Sequence, residues 1–394
     1  MEVDGGCSVP PAARRNVPRR ILWRTVNGFT LVELIVAMTV LVLLVLMMVS
    51  MTTATNRVWQ SSRARVDAFQ AARGAFERVT SHLSQATLAT YIDYYNAGGQ
   101  SRTDLQRSSP GTAFTPATYD RASDLQFVCG QAAVLAPPAI SASRPTHAVF
   151  FQAPLGYVST ATTANNDFKE LNSVLNAVGY YIDFTNGALQ QPAFITSLAP
   201  SWRYRLMELY QPSQNLTIYF PTSTYGGPQA WFTVAVNPTQ TPGATATSPT
   251  IVAADNIVAL IVRPETASTA ASATSGTSPT EIAPGYGYDT KAYLAQMNAD
   301  GTTPGPSYYL LSKNQLPPMV QVTMVAIDAN SAARLANMFG INPPTLFTKS
   351  PFTDVTQYAS DLASLETVLR GYQATYHVFV ADVSVFGAQW TQSQ

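Results

Sequence analysis

One carboxylate stands where a carboxylate is expensive. Glu33 is the only ionisable side chain between Phe29 and Met51, and an ionised acid at the centre of a bilayer costs about 2.5–3.5 kcal/mol or more unless it finds a partner. Two chemistries fit. An acid near a helix end can reach toward lipid headgroups. Alternatively, hydrolysis of the Gly28–Phe29 bond leaves a positive amine four residues from Glu33, and helices lying side by side can neutralise each other's charges. The second reading makes Gly28 and Phe29 a cleavage site and Glu33 a residue of subunit assembly.

The other reactive residue types are scattered. His82, His147 and His377 lie far apart in sequence with no Cys or His nearby, so each reads as structural. Asp120, Asp124, Asp289 and Asp354 lack the spacing of a calcium loop, and hydrolase elbows, phosphate-cradling loops and zinc signatures are absent. The chain is therefore expected to be no enzyme and to need no metal or cofactor. Gly285-Tyr286-Gly287-Tyr288-Asp289 reads either as a contact surface for a partner or glycan, or as a Gly-Tyr turn closing a strand pair.

The elements that position Glu33 begin with a membrane helix. The 23 residues from Phe29 to Met51, at about 1.5 Å each, span the roughly 30 Å hydrocarbon core of a bilayer. Ahead of them Arg14, Arg15, Arg19, Arg20 and Arg24 favour a cytoplasmic N-terminus, a bias lessened by Arg57, Arg63 and Arg65 on the far side. A conventional secretory signal would have a shorter apolar run and a cut after it. Removing residues 1–28 takes away five Arg, Glu2 and Asp4 and leaves 18 basic and 21 acidic side chains, a balance that gives no sign of nucleic acid. It also removes Cys7, so Cys129 has no partner for an internal disulfide and stability must come from the core.

Beyond Met51 the pattern turns amphipathic. Trp59, Val66, Phe69, Ala72, Phe76, Val79 and Leu83 recur at three- and four-residue steps, with Arg63/Asp67 and Arg73/Glu77 at i,i+4, which predicts one helix running on to about residue 89. Tyr91–Tyr95 is expected to open a β region, and Gly98–Thr118 to be a loop. Strands are predicted over Leu125–Cys129, Ala148–Gln152, Ala177–Phe184, Arg203–Tyr210, Leu216–Phe220, Ala230–Val236, Ile257–Val262, Met319–Ile327 and His377–Phe386. Short helices are predicted over Ser331–Phe339 and Val355–Leu369. Tracts 237–250 and 266–280 are rich in Thr, Ser, Ala and Pro and read as exposed loops or disorder. The order predicts an α+β fold with a mainly antiparallel sheet, in four stretches: 1–28 removed, 29–51 in the membrane, 52–89 amphipathic, and 90–394 globular.

Gly28-Phe29-Thr30-Leu31-Val32-Glu33, with its basic leader and apolar helix, resembles the signal of type IV pilins and type II secretion pseudopilins. The resemblance implies a pilin-like fold, cleavage after Gly28 by a prepilin peptidase at the cytoplasmic face, and N-methylation of Phe29. It also implies assembly with other pilin or pseudopilin subunits, an inner-membrane location and an exported, periplasmic C-terminal domain. The 28-residue leader is longer than many of these signals. Residues Ala75-Phe76-Glu77-Arg78 through Leu83-Ser84-Gln85-Ala86-Thr87 are similar to the helix end of minor pilins of the PilW and GspJ kind. LSQATLATYIDYY (83–95), HAVFFQAPLG (147–156), RYRLMELYQP (203–212), LPPMVQVTMVAID (316–328) and Gly387-Ala388-Gln389-Trp390 resemble the Verru_Chthon cassette protein C family of Verrucomicrobia-type bacteria. That resemblance brings no assigned activity. The reading is a structural subunit, a minor pilin or pseudopilin; the alternative is a membrane-anchored binding protein or adhesin that uses the helix only as a tether.

Overall fold

The computed structural model describes residues 30–138, 141–158, 171, 173–187, 201–219, 229–236, 250–265, 282–291, 312–347 and 351–389. The chain divides into two compact units, Met1–Trp59 and Gln60–Gln394. Helix α1, Leu31–Ser84, supplies all the described helix of the first unit and opens the second.

In the first unit α1 carries no charge on any side between Glu33 and Asn56, and from Leu31 to Trp59 every residue is exposed. In the second unit it buries a single face, made by Ala72, Ala75, Phe76, Val79 and Leu83, the i, i+3, i+4, i+7 spacing of one helical stripe. Phe69 is half-buried beside it, whereas Trp59 and Val66, expected on the same stripe, are exposed. The predicted ion pairs form, Arg73–Glu77 at 2.8 Å and Arg63–Asp67 at 4.0 Å. The helix ends five residues before its expected limit because the next backbone donors are taken elsewhere. Gln85 and Ala86 N–H tighten onto the carbonyls of His82 and Leu83, the Thr87 N–H donates to Gln152 O at 2.9 Å, and Ala89 adopts φ 44°.

The rest of the second unit is α+β with antiparallel pairing throughout the described strands. Six strands pair in the order β7 (Thr250–Asp255), β6 (Arg203–Gln211), β5 (Asn176–Thr185), β4 (His147–Ala153), β3 (Val128–Gln131) and β9 (Tyr288–Asp289). A second sheet pairs β11 (Tyr376–Ser384), β10 (Met319–Ile327) and β8 (Ile257–Glu265), and β1 (Tyr91–Tyr95) with β2 (Thr118–Ala122) makes a separate ribbon. Only Asn256 separates β7 from β8. Its left-handed φ of 64° turns the chain from one sheet to the other, while its N–H donates to Tyr204 O and its carbonyl accepts from Ile327 N–H. Asn tolerates that conformation better than most residues with a Cβ.

The main core lies between the two sheets, where Val149, Phe151, Val178, Ile182 and Leu206 of the six-stranded sheet gather with Leu260, Val322 and Met324 of the three-stranded one; the α1 stripe joins them, the Phe76 ring lying 5.6 Å from that of Phe379 on β11. The outer face of the six-stranded sheet is covered as well. There α3 (Ala132–Leu135) and α4 (Ala230–Val236) pack on Phe150, Tyr181 and Leu209, with Phe232 stacked on Phe150 at 4.1 Å. Both faces being buried explains why β4 is enclosed along its length and apolar from Ala148 to Phe151. Gly179 is required opposite Phe150, since a Cβ there would lie 2.1 Å from the ring.

Several expected elements differ. Ala230–Val236 is a helix, because Trp231 and Phe232 are adjacent and both point into the same outer core, which a strand's alternation forbids. Thr217–Tyr219, inside a predicted strand, is a turn of 3-10 helix. Within the expected loop 98–118, Ser101 caps α2 (Arg102–Ser108) by accepting from the Asp104 N–H. The predicted C-terminal helices appear as α5 (Ala329–Phe339), capped by Asp328, and as a 3-10 turn over Val355–Gln357 leading into α6 (Tyr358–Gly371). The tract 237–249, the tract 266–280 and Trp390 lie outside the described residues; Thr250 begins β7.

Candidate functional site

The head of α1 is built by a reciprocal cap. Thr30 precedes the first helical residue and its Oγ1 accepts from the Glu33 N–H at 3.3 Å, while Glu33 Oε2 accepts from the Thr30 N–H at 3.0 Å and from its hydroxyl at 2.9 Å. This is the arrangement in which Thr and a Glu three residues on satisfy each other's free amides. It folds the carboxylate back to the backbone nitrogen adjoining Phe29, so Glu33 sits at the end of the helix where the axial dipole favours negative charge. Gly28 and Phe29 lie outside the described residues. Thr30 is a member of this site that the charge pattern does not mark; its signal in the sequence is the Thr-x-x-Glu spacing.

Between Glu33 and Asn56 the helix satisfies its own hydroxyls. The hydroxyls of Thr39, Ser50, Thr52, Thr53 and Thr55 each donate to a carbonyl three or four residues back, at 2.8–2.9 Å. The segment is long and apolar enough to cross a membrane.

The second gathering of polar groups lies in the globular unit, where α1 meets the six-stranded sheet. Glu208 on β6 is fully buried, and Tyr180 on β5 donates to its Oε1 at 2.8 Å. The Tyr180 oxygen also lies 2.6 Å from His82 Nδ1, and Arg78 Nη1 approaches Glu208 Oε2 at 3.4 Å. Tyr180 has one proton to give, so while it donates to the carboxylate, His82 Nδ1–H is the donor to Tyr180. Burial raises the pKa of Glu208 and of Tyr180. Burial, with the Arg78 charge, pushes His82 down to about 4. The cluster thus seats the helix on the sheet through one desolvated acid whose countercharge comes from the helix.

The other candidates are dispersed. His147 is enclosed between strands: its Nδ1 accepts from Val262 N–H at 3.1 Å and its Nε2–H donates to Phe352 O at 2.9 Å. Burial pushes its pKa down to about 4, and the Val262 N–H already occupies the place a second proton would take. His377 packs against Phe69 and Phe379. Cys129 is buried, its thiol raised in pKa by that burial. The contact-surface reading of Gly285–Asp289 is overturned, since Tyr286 and Tyr288 are buried and Tyr288 pairs with Cys129 between strands. Asp289 is also enclosed, held by Gln126 at 2.8 Å. Among the described residues no three His, Cys, Asp or Glu side chains come together as metal ligands.

The head of α1 therefore combines a capped acid, a self-satisfied apolar helix and a Gly-Phe junction just before it. Residues 23–49 match the family described as the prokaryotic N-terminal methylation motif. No curated protein and no solved structure matches the chain. The methylation motif supports a type IV pilin-like protein processed by prepilin peptidase and anchored through its apolar helix, and it implies association with other pilin subunits. It contains Gly28, Phe29, Thr30 and Glu33, and ends two residues before Met51.

Proposed function

We propose that the chain is a structural subunit, a minor pilin or pseudopilin-like component of a type IV pilus or type II secretion-like filament. The observation that carries the reading is the methylation motif over residues 23–49 at the head of a 54-residue helix. In this reading Gly28 and Phe29 are the cleavage and methylation site, and Glu33 exchanges its cap for the amine of a neighbouring subunit during assembly. The N-terminus starts in the cytoplasm, the inner membrane holds the helix, and the globular unit is periplasmic. The size of that unit suits a low-copy position better than a repeating one, and the resemblance to Verru_Chthon cassette protein C and to PilW and GspJ-type minor pilins points the same way. No catalytic role is assigned: the buried histidines and Glu208 have structural partners that account for them.

Mass spectrometry of the N-terminal peptide, from protein purified out of its native membrane, tests the processing. N-methylated Phe29 is expected; a chain retaining residues 1–28 overturns the reading. One observation favours the alternative of a tethered binding protein. On the β1–β2 ribbon Ile92, Tyr94 and Tyr119 share one face, Tyr94 directly opposite Tyr119, and all three are exposed. Replacing Glu33 by Gln separates the two, because a filament subunit loses assembly while a tether is indifferent.

A further inference from the structure

The apolar run ends at Met51, but the helix does not become expensive to immerse there. Thr52, Thr53 and Thr55 hand their hydroxyl protons to the carbonyls of Met48, Ser50 and Met51, so their polar groups need no water. Asn56 and Arg57 are the first side chains with more donors than a turn of helix can absorb. The immersible stretch is then Leu31–Thr55, about 37 Å of helix, which exceeds the roughly 30 Å hydrocarbon core and falls just short of the 40–45 Å that includes both headgroup layers.

Three further facts mark what meets the chain at that depth. Trp59 is an exposed indole, and Trp favours the membrane–water boundary, where its apolar body and polar N–H are both accommodated. Helical side chains lean toward the N-terminus, so those of Arg57 and Trp59 point back to the bilayer. No acidic residue occurs between Glu33 and Asp67, which leaves Arg57 no carboxylate on its own turns and makes a phosphate its complement.

We infer that α1 leaves the membrane at Asn56–Trp59, with Trp59 seated in the headgroup layer and Arg57 on the phosphates of anionic phospholipid. The inference rests on the membrane reading of α1 and moves its boundary from Met51 to Thr55. The consequence is a fixed vertical position: an aromatic and a cation hold the far end of the segment at the headgroup layer.

The test uses the full chain in vesicles of phosphatidylcholine with or without phosphatidylglycerol, a fraction of the lipid being brominated at a chosen depth. The protein has five Trp, so the difference between wild type and Trp59→Phe isolates the Trp59 emission. Bromines at the headgroup end of the acyl chain are expected to quench it at least about twofold more than bromines at the methyl end. Arg57→Gln is expected to remove the extra quenching gained with phosphatidylglycerol. Trp59 emission that is water-like and unquenched, from protein that floats with the vesicles, overturns the boundary alone. Protein that does not float overturns the membrane reading and the inference with it. Quenching that is indifferent to both phosphatidylglycerol and Arg57→Gln overturns the phosphate contact.

Discussion

Leu43 and Leu83 belong to one helix and have opposite surroundings. Leu43 is 62% exposed and Leu83 wholly buried, yet the local conformation is the same. Up to Thr55 the helix is apolar on every side and ties its hydroxyls to its own carbonyls; from Phe69 onward it buries one stripe and presents ion pairs on its open side. One secondary structure is thus fitted to two solvents, a bilayer for the first stretch and a protein core for the second. The difference lies in how many faces are apolar and in where the polar groups find partners.

The comparison breaks if the two leucines behave alike. Leu83→Ala removes a side chain buried against the core of the globular unit and should lower its stability by about 2–5 kcal/mol. Leu43→Ala should leave that unfolding transition where it was. Urea denaturation of the full chain in mild detergent, followed by tryptophan fluorescence, reads both. An equal loss from both substitutions would mean that the first stretch also holds the globular unit together.

Acid should weaken the second stretch's surroundings only. His147 is held neutral at a pKa of about 4, whereas in the unfolded chain it takes up a proton near 6.5. The unfolded state therefore binds more protons between those values, and stability falls as the pH drops from 6.5 to 4, by about 3 kcal/mol for this residue. His82 is also held near 4 but is less enclosed, so its share is smaller; Glu208, raised by burial, acts in the opposite sense. The urea midpoint measured across that range should fall on the acid side, and His147→Gln should flatten the slope. An unchanged slope in His147→Gln would mean that the imidazole is not held neutral by its strands.

Most of this architecture was legible in the sequence where the pattern was long. Twenty-three residues with one charge mark the head of α1, the repeating stripe marks its packed part, and Met319–Ile327 is a strand with the bounds its apolar run predicts. Short runs failed for a physical reason: the seven residues Ala230–Val236, apolar but for Thr233, carry no period that tells a strand covered on both faces from a helix lying over a sheet. The end of α1 was misplaced because Gln152, 65 residues further along the chain, supplies the carbonyl that draws Thr87 away. For the same reason the Glu208, Tyr180, His82 and Arg78 cluster was invisible, its members being separated by up to 130 residues and brought together only by sheet pairing. At the candidate site the acid is plain from its isolation in an apolar run, while its cap is marked only by the Thr30-x-x-Glu33 spacing.

That cap gives the smallest effect and the sharpest distinction. Thr30→Ala removes the hydroxyl that accepts from Glu33 N–H and donates to the carboxylate, a loss of about 1 kcal/mol. In micelles, amide exchange over Leu31–Leu34 should rise about fivefold, and Thr30→Ser should restore it. Glu33→Gln keeps an acceptor for the Thr30 N–H but removes the charge, so its effect on exchange should be smaller than that of Thr30→Ala. If capping were all that Glu33 does, assembly would follow the same order as exchange. If Glu33 instead answers the amine of a neighbouring subunit, the order reverses: Glu33→Gln abolishes assembly with the helix head nearly intact, and Thr30→Ala frays the head while filaments still form.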